Sequence, residues 1–434
     1  MREIYIERRK KIMDVIGSGV VILFNAPEQT RSRDTQHRYR HDSNFYYLSG
    51  FLEPDSIILM VAGAKTKTIL FCREKNPELE LWDGIRTGPK KAAEVHGFDE
   101  AYPTNQFHKK LPNIIKNRKV FFDMGIHNVW DETIMNAVRA IHAESKRENE
   151  APDSICDIKD IIYEMRLIKD SQELDIMRRA AEISSNAHKR AMLYARAGLY
   201  EYQVEAEILH EFNKHGCQAP AYTSVVASGK NSCILHYVEN NDQLKNGELL
   251  LIDAGCELES YASDITRTFP IGKHYSPPQK DIYELVLGAQ IAAIDCISEG
   301  VSYEQPHLTA IRTLSQGFID LGLCKGSVDS IIENKDYLDF YMHGTGHWLG
   351  MDVHDVGAYK IRNAPRKFKN GMVLTVEPGC YIRPRKETPE HFWNIGVRIE
   401  DDIVVSPTGP EVITSNTPKT INEIEDMRKI AHEI

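Results

Sequence analysis

The sequence lacks the features typical of secreted, membrane-spanning and nucleic-acid-binding proteins. Its eight cysteines are scattered singly between Cys72 and Cys380 without a CxxC pair, which indicates reduced thiols rather than a disulfide framework. No apolar stretch approaches the roughly 20 residues that a membrane span needs. The formal net charge is -10 and no lysine-rich face or tail is present, which argues against nucleic acid as the main partner. We therefore expect a cytoplasmic protein with neither a membrane nor a nucleic-acid partner.

One amino-terminal segment superficially copies a secretory signal. In "ERRKKIMDVIGSGVVILFNAP", basic residues precede an apolar run, as they do in a signal peptide. However, Asp14 and two glycines interrupt the run, and "VVILF" is only long enough for a buried strand. We therefore interpret this segment as the beginning of a folded domain.

The first third of the chain shows the pattern of an α/β domain. Short β-like runs alternate with polar or helical stretches up to about residue 145, namely "GVVILF", "SIILMVAG", "TKTILFC" and "KVFFDMG". The polar segment "AESKRENEAPDS" follows, and its charges and proline are typical of an exposed connection. With 434 residues, two domains are expected. We place them at residues 1–165 and 166–434.

The second domain is expected to begin with a helix. The sequence from residue 171 to 195 has helical spacing, with Leu174, Met177 and Ala181 on one side together with Ser184 or Ser185. Ser171 is a candidate N-cap for this helix.

An internal echo is the most informative feature of the second domain. "NGELLLIDAGC" (246–256) and "NGMVLTVEPGC" (370–380) align without a gap at an offset of 124 residues, and Asp253 falls on Glu377. Each copy is a turn that leads into a β-rich strand ending in a carboxylate. A duplicated half-domain would bring the two acids together near a pseudo-twofold axis.

Each of these acids has a second acid near it in the sequence. Asp264 follows Asp253 by eleven residues, with a turn expected near "ELESY", so a β-hairpin would let both aspartates face one volume. Glu400, in "WNIGVRIEDDIVV", is expected in a strand that pairs with the strand carrying Glu377. Taken alone, an aspartate after a strand is usually a turn or cap residue. The duplicated pattern favours a common site.

Four converging carboxylates would repel one another strongly unless cations compensate them. Oxygen ligands plus an imidazole suit two divalent metals such as manganese, cobalt, zinc or iron. The imidazole is expected from "YMHGTGHWLGMDVHDVG" (341–357). Two metals roughly 3.5 to 4 Å apart can hold a bridging hydroxide as a nucleophile and polarise a carbonyl. Cys256 and Cys380 are expected to be packed small residues rather than ligands.

Several segments together resemble the proline-specific metallopeptidases of the pita-bread fold, most closely the aminopeptidase P family. "HDSNFYYLSGFLEPDS" and "LWDGIRTG" resemble the amino-terminal domain of that family. "DAGCE", "SDITRTFP", "HGTGHWLGMDVHD", "TVEPGCY" and "VRIEDD" resemble its catalytic domain. The resemblance implies an α+β fold: a pita-bread, creatinase/aminopeptidase-like catalytic domain with a pseudo-twofold duplicated half, preceded by a smaller α/β domain for substrate access and oligomer contacts.

The resemblance also implies a set of site residues. Asp264 and Glu400 look like bridging carboxylates, and Glu377 looks like both a ligand and the group that handles the proton. His343 and His354 look like the substrate-side histidines of the family, although a capped loop histidine is the alternative for His354. His236 resembles the histidine that stabilises the tetrahedral intermediate or shuttles a proton to it. The implied metal ligands are Asp253, Asp264, His347, Glu377 and Glu400.

Three further residues look like supporting groups. Arg398 and Tyr381 resemble residues that orient the carboxylates from behind. Trp82 would suit stacking on a proline ring, with a neighbouring subunit as one source, and ordinary packing is the alternative.

The expected activity is a metal-dependent exopeptidase that hydrolyses the amino-terminal Xaa-Pro bond of peptides and releases the first residue. The resemblance implies two divalent metal ions, most commonly manganese in this family. By the same analogy we expect a homo-oligomer, either a dimer or a tetramer. Prolidase, an Xaa-Pro dipeptidase on the same scaffold, is the alternative enzyme. A non-catalytic pita-bread binding protein is disfavoured, since such proteins lose metal ligands and this chain keeps all five.

Overall fold

The computed structural model describes residues 2–144, 150–217 and 219–433. Contacts divide the chain into two compact units, Met1–Met165 and Arg166–Ile434. Residues 145–149, within the polar segment interpreted as a connection, lie outside the described residues. Among the helices that are described, none combines the length and apolar character needed to cross a membrane.

A six-stranded mixed sheet forms the centre of the first unit, with strand order β6-β5-β4-β1-β7-β8. The sheet contains β1 (Gly19–Phe24), β4 (Ile57–Ala62), β5 (Lys67–Cys72), β6 (Glu100–Pro103), β7 (Lys119–Phe122) and β8 (Ser154–Asp157), while β2 (Thr30–Ser32) and β3 (Thr35–Gln36) form a separate hairpin in the same unit. Its helices are α1 (Arg2–Ile16), α2 (Ser43–Ser49), α3 (Pro77–Asp83), α4 (Pro89–His96), α5 (Phe107–Ile115), α6 (Asn128–Glu144) and α7 (Lys159–Leu167), whose last residues belong to the second unit.

The predicted α/β character of the first unit is confirmed. The four apolar runs become β1, β4, β5 and β7, and every residue of β1 is buried. Such a strand can be apolar throughout because both faces of the sheet are covered. Side chains from α5 and α6, among them Leu111 and Ile134, pack with β1 residues such as Ile22 in one core.

The second unit surrounds several short antiparallel sheets with helices. The helices are α8 (Ser171–Tyr194), α9 (Glu201–Lys214), α10 (Pro277–Asp295), α11 (Glu304–Asp320), α12 (Val328–Asn334) and α13 (Ile421–Ala431). The strands are β9 (Ala219–Pro220), β10 (Val225–Ser228), β11 (Leu249–Asp253), β12 (Cys256–Leu258), β13 (Tyr261–Ala262), β14 (Thr266–Pro270), β15 (Lys360–Ile361), β16 (Ala364–Pro365), β17 (Val373–Val376), β18 (Gly379–Ile382), β19 (Ile395–Arg398), β20 (Asp401–Ser406) and β21 (Gly409–Val412).

The echoed segments form β11 and β17 in two different sheets. β11 lies between β10 and β14, whereas β17 lies at one end of the sheet β17-β20-β21 and pairs with β20. Asp253 ends β11 opposite Thr266 of β14, and the predicted hairpin is confirmed, with Glu259 and Ser260 in left-handed conformation at the β12–β13 turn. Glu377 directly follows β17.

The expectation that Glu400 lies within a strand is wrong. Glu400 lies in the junction between β19 and β20. The chain changes sheets there, because β19 pairs with β18 whereas β20 pairs with β17. A residue at such a crossing is released from strand pairing, so its side chain can turn into a site.

The helix predicted from residue 171 is present as α8, but Ser171 is not its cap. Asp170 precedes the helix in an extended conformation and its side chain accepts hydrogen bonds from the Gln172 and Glu173 N–H groups. The Glu173 carboxylate in turn accepts the Asp170 N–H, at 3.0 Å. This reciprocal capping box satisfies helix donors that Ser171, already inside the first turn, cannot reach.

The cap assignment predicts different effects for two neighbouring substitutions. Asp170→Ala removes the capping acceptor and is expected to lower the free energy of unfolding by about 1 kcal/mol. Ser171→Ala, the matched control on an exposed residue, should change it little. Urea unfolding of both variants measures the difference, and equal losses would contradict the assignment.

Candidate active site

The ends of β11 and β14 bring the first pair of carboxylates together. Asp253 ends β11, and Asp264 lies just before β14. The Tyr222 hydroxyl is 2.6 Å from Asp253 Oδ1 and also contacts Asp264 Oδ1. Burial, followed by these two carboxylates, raises the pKa of Tyr222 well above its usual value, so the hydroxyl keeps its proton. One proton can be donated to only one of the two aspartates at a time.

The second sheet supplies the other two carboxylates. Glu377 follows β17, and the Thr375 hydroxyl lies 3.4 Å from its Oε1. The Thr266 hydroxyl donates to Glu400 Oε2 at 2.6 Å. The Glu400 N–H donates to the Thr266 carbonyl. Glu400 is therefore held by the strand that pairs with Asp253.

His347 points its ring at these acids. Its Nε2 is 3.4 Å from Asp264 Oδ2 and 3.7 Å from Glu377 Oε1. Its Nδ1 lies 3.0 Å from the Trp348 carbonyl, which can accept the Nδ1 proton and leave Nε2 free as a ligand. Asp264, His347 and Glu400 offer ligand atoms that all lie within 4.8 Å of one another.

A glycine allows the His347 loop to approach β17. A Cβ atom on Gly346 would lie 1.9 Å from the Thr375 carbonyl oxygen, whereas a Cβ atom on Gly344 would meet the Gly346 carbonyl oxygen at 3.9 Å, an ordinary van der Waals distance. A side chain at position 346 would therefore clash with β17, whereas position 344 has no such constraint. The His347 N–H also lies 3.1 Å from Thr375 Oγ1.

The electrostatics of the cavity suit divalent cations. Burial raises the pKa of Glu377 to about 7, although nearby positive charges act in the opposite direction. Burial, followed by the neighbouring carboxylates, raises the pKa of Glu400 well above its usual range. The pKa of Asp253 is also raised, again chiefly by burial. Divalent cations favour the ionised forms, so four acids and an imidazole fit such ions well.

Arg398 and Tyr381 lie where supporting groups were expected. Arg398 Nη2 donates to Asp253 Oδ2 at 2.6 Å, and its Nη1 donates to the Tyr381 hydroxyl at 3.0 Å. The Tyr381 hydroxyl is also 2.8 Å from His343 Nε2. Arg398 thus contacts a predicted ligand directly, while Tyr381 reaches it through Arg398.

The three predicted catalytic histidines, His236, His343 and His354, line the same cavity but differ in their contacts. His343 has both ring nitrogens engaged, since its Nδ1 lies 2.8 Å from the Gly344 carbonyl. Burial, followed by the charge of Arg398, lowers the pKa of His343 to about 3, so its ring is neutral. His236 and His354 are exposed, and within the described ranges their rings make no hydrogen bond.

A single cavity of about 420 Å³ unites these residues. It contains all five predicted ligands, the three histidines and Arg398, together with the apolar side chains of Val225, Leu235, Val238 and Val353. Tyr222 also lines it, and sequence reasoning missed this residue. The one feature of the sequence that could have indicated Tyr222 is its position shortly before β10, the strand in which Val225 pairs with Asp253.

Trp82 belongs to the first unit, in α3, and is 86% exposed. Its side chain is therefore not packed into the core of this unit. Stacking on a proline ring stays a prediction.

Two protein-family models match the sequence. The model described as "Metallopeptidase family M24" matches residues 175–407. The model described as "Aminopeptidase P, N-terminal domain" matches residues 5–122.

Individual proteins are similar over the whole chain. An Xaa-Pro aminopeptidase of Haemophilus influenzae is 41% identical over 98% of this chain and 97% of its own length. The solved aminopeptidase PepP of Pseudomonas aeruginosa is 44% identical with a TM-score of 0.98, covering 100% of this chain and 99% of that one. The E. coli aminopeptidase P structure with the inhibitor Pro-Leu is 38% identical with a TM-score of 0.97, at the same coverage.

The raised pKa of Glu377 predicts a pH-dependent stability of the metal-free protein. A folded pKa near 7 means that the folded state favours protonated Glu377, so this stabilisation is lost as pH rises from about 4.5 to 7. Glu377→Gln should therefore raise the unfolding midpoint of chelator-treated protein at pH 8 and change it little at pH 5. Exposed Glu239→Gln is the control. An equal shift of the Glu377→Gln midpoint at both pH values would contradict the burial argument.

Proposed function

This chain belongs to metallopeptidase family M24, and on that premise we propose that its carboxylate-lined cavity is where a peptide is cleaved. The protein is a metal-dependent exopeptidase that hydrolyses the amino-terminal Xaa-Pro bond and releases the first residue. The observation that carries the site assignment is the convergence of all five expected ligands and three histidines in one cavity.

We assign two divalent metal ions to the cavity, held by Asp253, Asp264, His347, Glu377 and Glu400. Asp264 and Glu400 are assigned as bridging ligands, which is supported by their closeness to each other and to His347. Manganese is the first candidate, and cobalt, zinc and iron suit the same donors. When bound, such ions supply a nucleophile from water at neutral pH and polarise the scissile carbonyl.

Glu377 is assigned as the residue that moves the proton. Its carboxylate accepts a proton as water oxygen bonds to the carbonyl carbon, and it returns that proton to the proline nitrogen as the C–N bond breaks. A pKa near 7 in the metal-free cavity, caused chiefly by burial, supports a carboxylate able to do both. The Arg398 bond to Asp253 keeps the neighbouring acid oriented.

The histidines divide their work. His236 and His354 have ring nitrogens available within the described part of the chain, so they can donate to the oxyanion that develops on the carbonyl. His343 instead connects Tyr381 with the Glu377 side of the cavity, since its Nδ1 is 3.7 Å from Glu377 Oε2.

The cavity also favours an aminopeptidase over a dipeptidase. A prolidase needs a free basic group near the proline to capture the substrate carboxylate. Among the described residues that line the cavity, Arg398 is the only lysine or arginine, and Asp253 and Tyr381 already engage it. The proline nitrogen has no N–H to be satisfied, so apolar side chains such as Val353 can surround its ring.

The assembly and location are further proposals. The first unit, residues 1–165, is assigned to substrate access and to contacts in a homodimer or homotetramer. Leu81, Trp82 and Ile85 are each at least 85% exposed, which supports an apolar contact surface there. All eight cysteines are free thiols, which supports the cytoplasm as the compartment.

Substrate length and sequence separate the two peptidase activities. The tripeptide Xaa-Pro-Yaa should be cleaved to Xaa and Pro-Yaa with a much higher kcat/KM than the dipeptide Xaa-Pro. Xaa-Ala-Yaa is the control for proline specificity. Chromatography of the products measures all three, and preferred cleavage of the dipeptide would indicate a prolidase.

Two substitutions separate metal binding from oxyanion stabilisation. Glu377→Ala should lower kcat by at least about 10²- to 10⁴-fold and also lower the metal content, since a ligand is lost. His354→Ala should lower kcat by about 10²- to 10³-fold with unchanged metal content. Elemental analysis and steady-state kinetics give both readouts. Wild-type kcat in Glu377→Ala would show that the assignment is wrong.

A further inference from the structure

A short turn of the second unit carries His354 to the cavity. Asp352 and Asp355 flank Val353 and His354, and both intervening residues line the cavity. Arg166 Nη2 lies 2.7 Å from Asp352 Oδ2 and 2.6 Å from Asp355 Oδ1. One nitrogen of a single guanidinium group therefore bridges the two ends of the turn, and Arg166 does not itself line the cavity.

This ion cluster is deeply buried. The side chains of Arg166 and Asp355 are 2% and 1% exposed. Lys169 Nζ lies 2.9 Å from Asp355 Oδ2, and its side chain is 1% exposed. Two cations thus balance two acids, which a buried charge requires. Asp352 is the accessible end of the cluster, with 39% of its side chain exposed.

The surrounding backbone is built closely around the cluster. A Cβ atom on Gly350 would lie 2.1 Å from Asp355 Oδ2 and 2.9 Å from Lys169 Cε, so only glycine fits there without a shift. The Asp355 N–H also donates to the Trp348 carbonyl. The turn is thereby connected to the backbone next to the predicted ligand His347.

His354 itself has little else to fix it. Among described residues its ring makes no hydrogen bond, and its ring contact is an edge-on approach to His347, with centroids 4.3 Å apart. The direction in which this imidazole points therefore depends on the backbone of the turn. The group that closes the turn, Arg166, lies outside the cavity and outside every motif identified in the sequence.

We propose that Arg166 is a positioning residue of the peptidase reaction: by bridging Asp352 and Asp355 it holds His354 where that imidazole can reach the scissile carbonyl. This inference rests on the proposed role of His354. Arg166 does not line the cavity, so its effect passes through the histidine.

A double-mutant cycle tests the inference on the full chain loaded with Mn²⁺. Arg166→Met should lower kcat about 10- to 10²-fold, the scale of a misplaced catalytic group, with KM and metal content little changed. The double variant, Arg166→Met with His354→Ala, should be no slower than His354→Ala alone, within about twofold. Without the His354 imidazole, the Arg166 bridge between Asp352 and Asp355 has no catalytic group to position.

The control is Arg178→Met on α8. Arg178 makes a two-pronged bond to Glu411 at 2.7 and 2.9 Å and does not line the cavity. The Arg178→Met variant should keep wild-type kcat. If Arg166→Met does not fold, Asp352→Asn replaces it in the same cycle, since this half-exposed position leaves the Arg166–Asp355–Lys169 contacts in place.

The outcomes are distinct. The inference would be overturned if the two single-variant losses in kcat multiplied in the double variant, or if Arg166→Met (or Asp352→Asn in its place) kept wild-type kcat. Either result would leave the proposed function intact. Wild-type kcat in His354→Ala would overturn the assigned role of that histidine and the inference with it. A crystal structure of the Arg166→Met variant (or of Asp352→Asn in its place) should show residues 352–355 displaced relative to the wild-type protein. An unchanged position of His354 would overturn the inference.

Discussion

Four carboxyl groups and one imidazole share one cavity. The negative charge of the four acids must be compensated there, and the contacts around the site serve this need. The protein supplies part of the compensation: Arg398 is bonded to Asp253, and the Tyr222 hydroxyl, which keeps its proton, donates a hydrogen bond to the Asp253–Asp264 pair. What remains is a set of acids whose pKa values burial raises, Glu400 most clearly. Under the proposed assignment, divalent cations would complete the compensation and would supply the water-derived nucleophile for hydrolysis.

The duplicated strands bring these groups together with few residues. Thr266 belongs to the first strand pair, yet its hydroxyl donates to Glu400 and its carbonyl accepts the Glu400 N–H. Arg398 belongs to the second pair and reaches back to both Asp253 and Thr266. Each half therefore orients an acid of the other. Such reciprocal support holds the two strand ends in one geometry.

Much of this arrangement could be predicted from the sequence because it follows from local patterns. The echo of 246–256 in 370–380 identifies Asp253 and Glu377, and the apolar runs identify the strands of the first unit. The α+β pita-bread class suggested by the motifs is confirmed by the likeness to solved aminopeptidases.

Other features depend on contacts between distant segments, which no local pattern encodes. Tyr222 carries no motif, and Arg166 is separated from Asp352 by 186 residues. Glu400 lies where the chain passes from one sheet to another. Its position depends on which strands pair, and the sequence pattern of a single strand does not specify its partner. The cap of α8 was misassigned by one residue because Asp170 and Ser171 are both good capping types.

The central claim is that the converging acids and His347 hold two metal ions. Anomalous diffraction from crystals of Mn²⁺-loaded protein tests it most directly. Two peaks about 3.5 to 4 Å apart, between Asp264 and Glu400 and within reach of His347, are the expected result. A cavity without anomalous density under these conditions would contradict the account, as would metal bound only elsewhere on the chain.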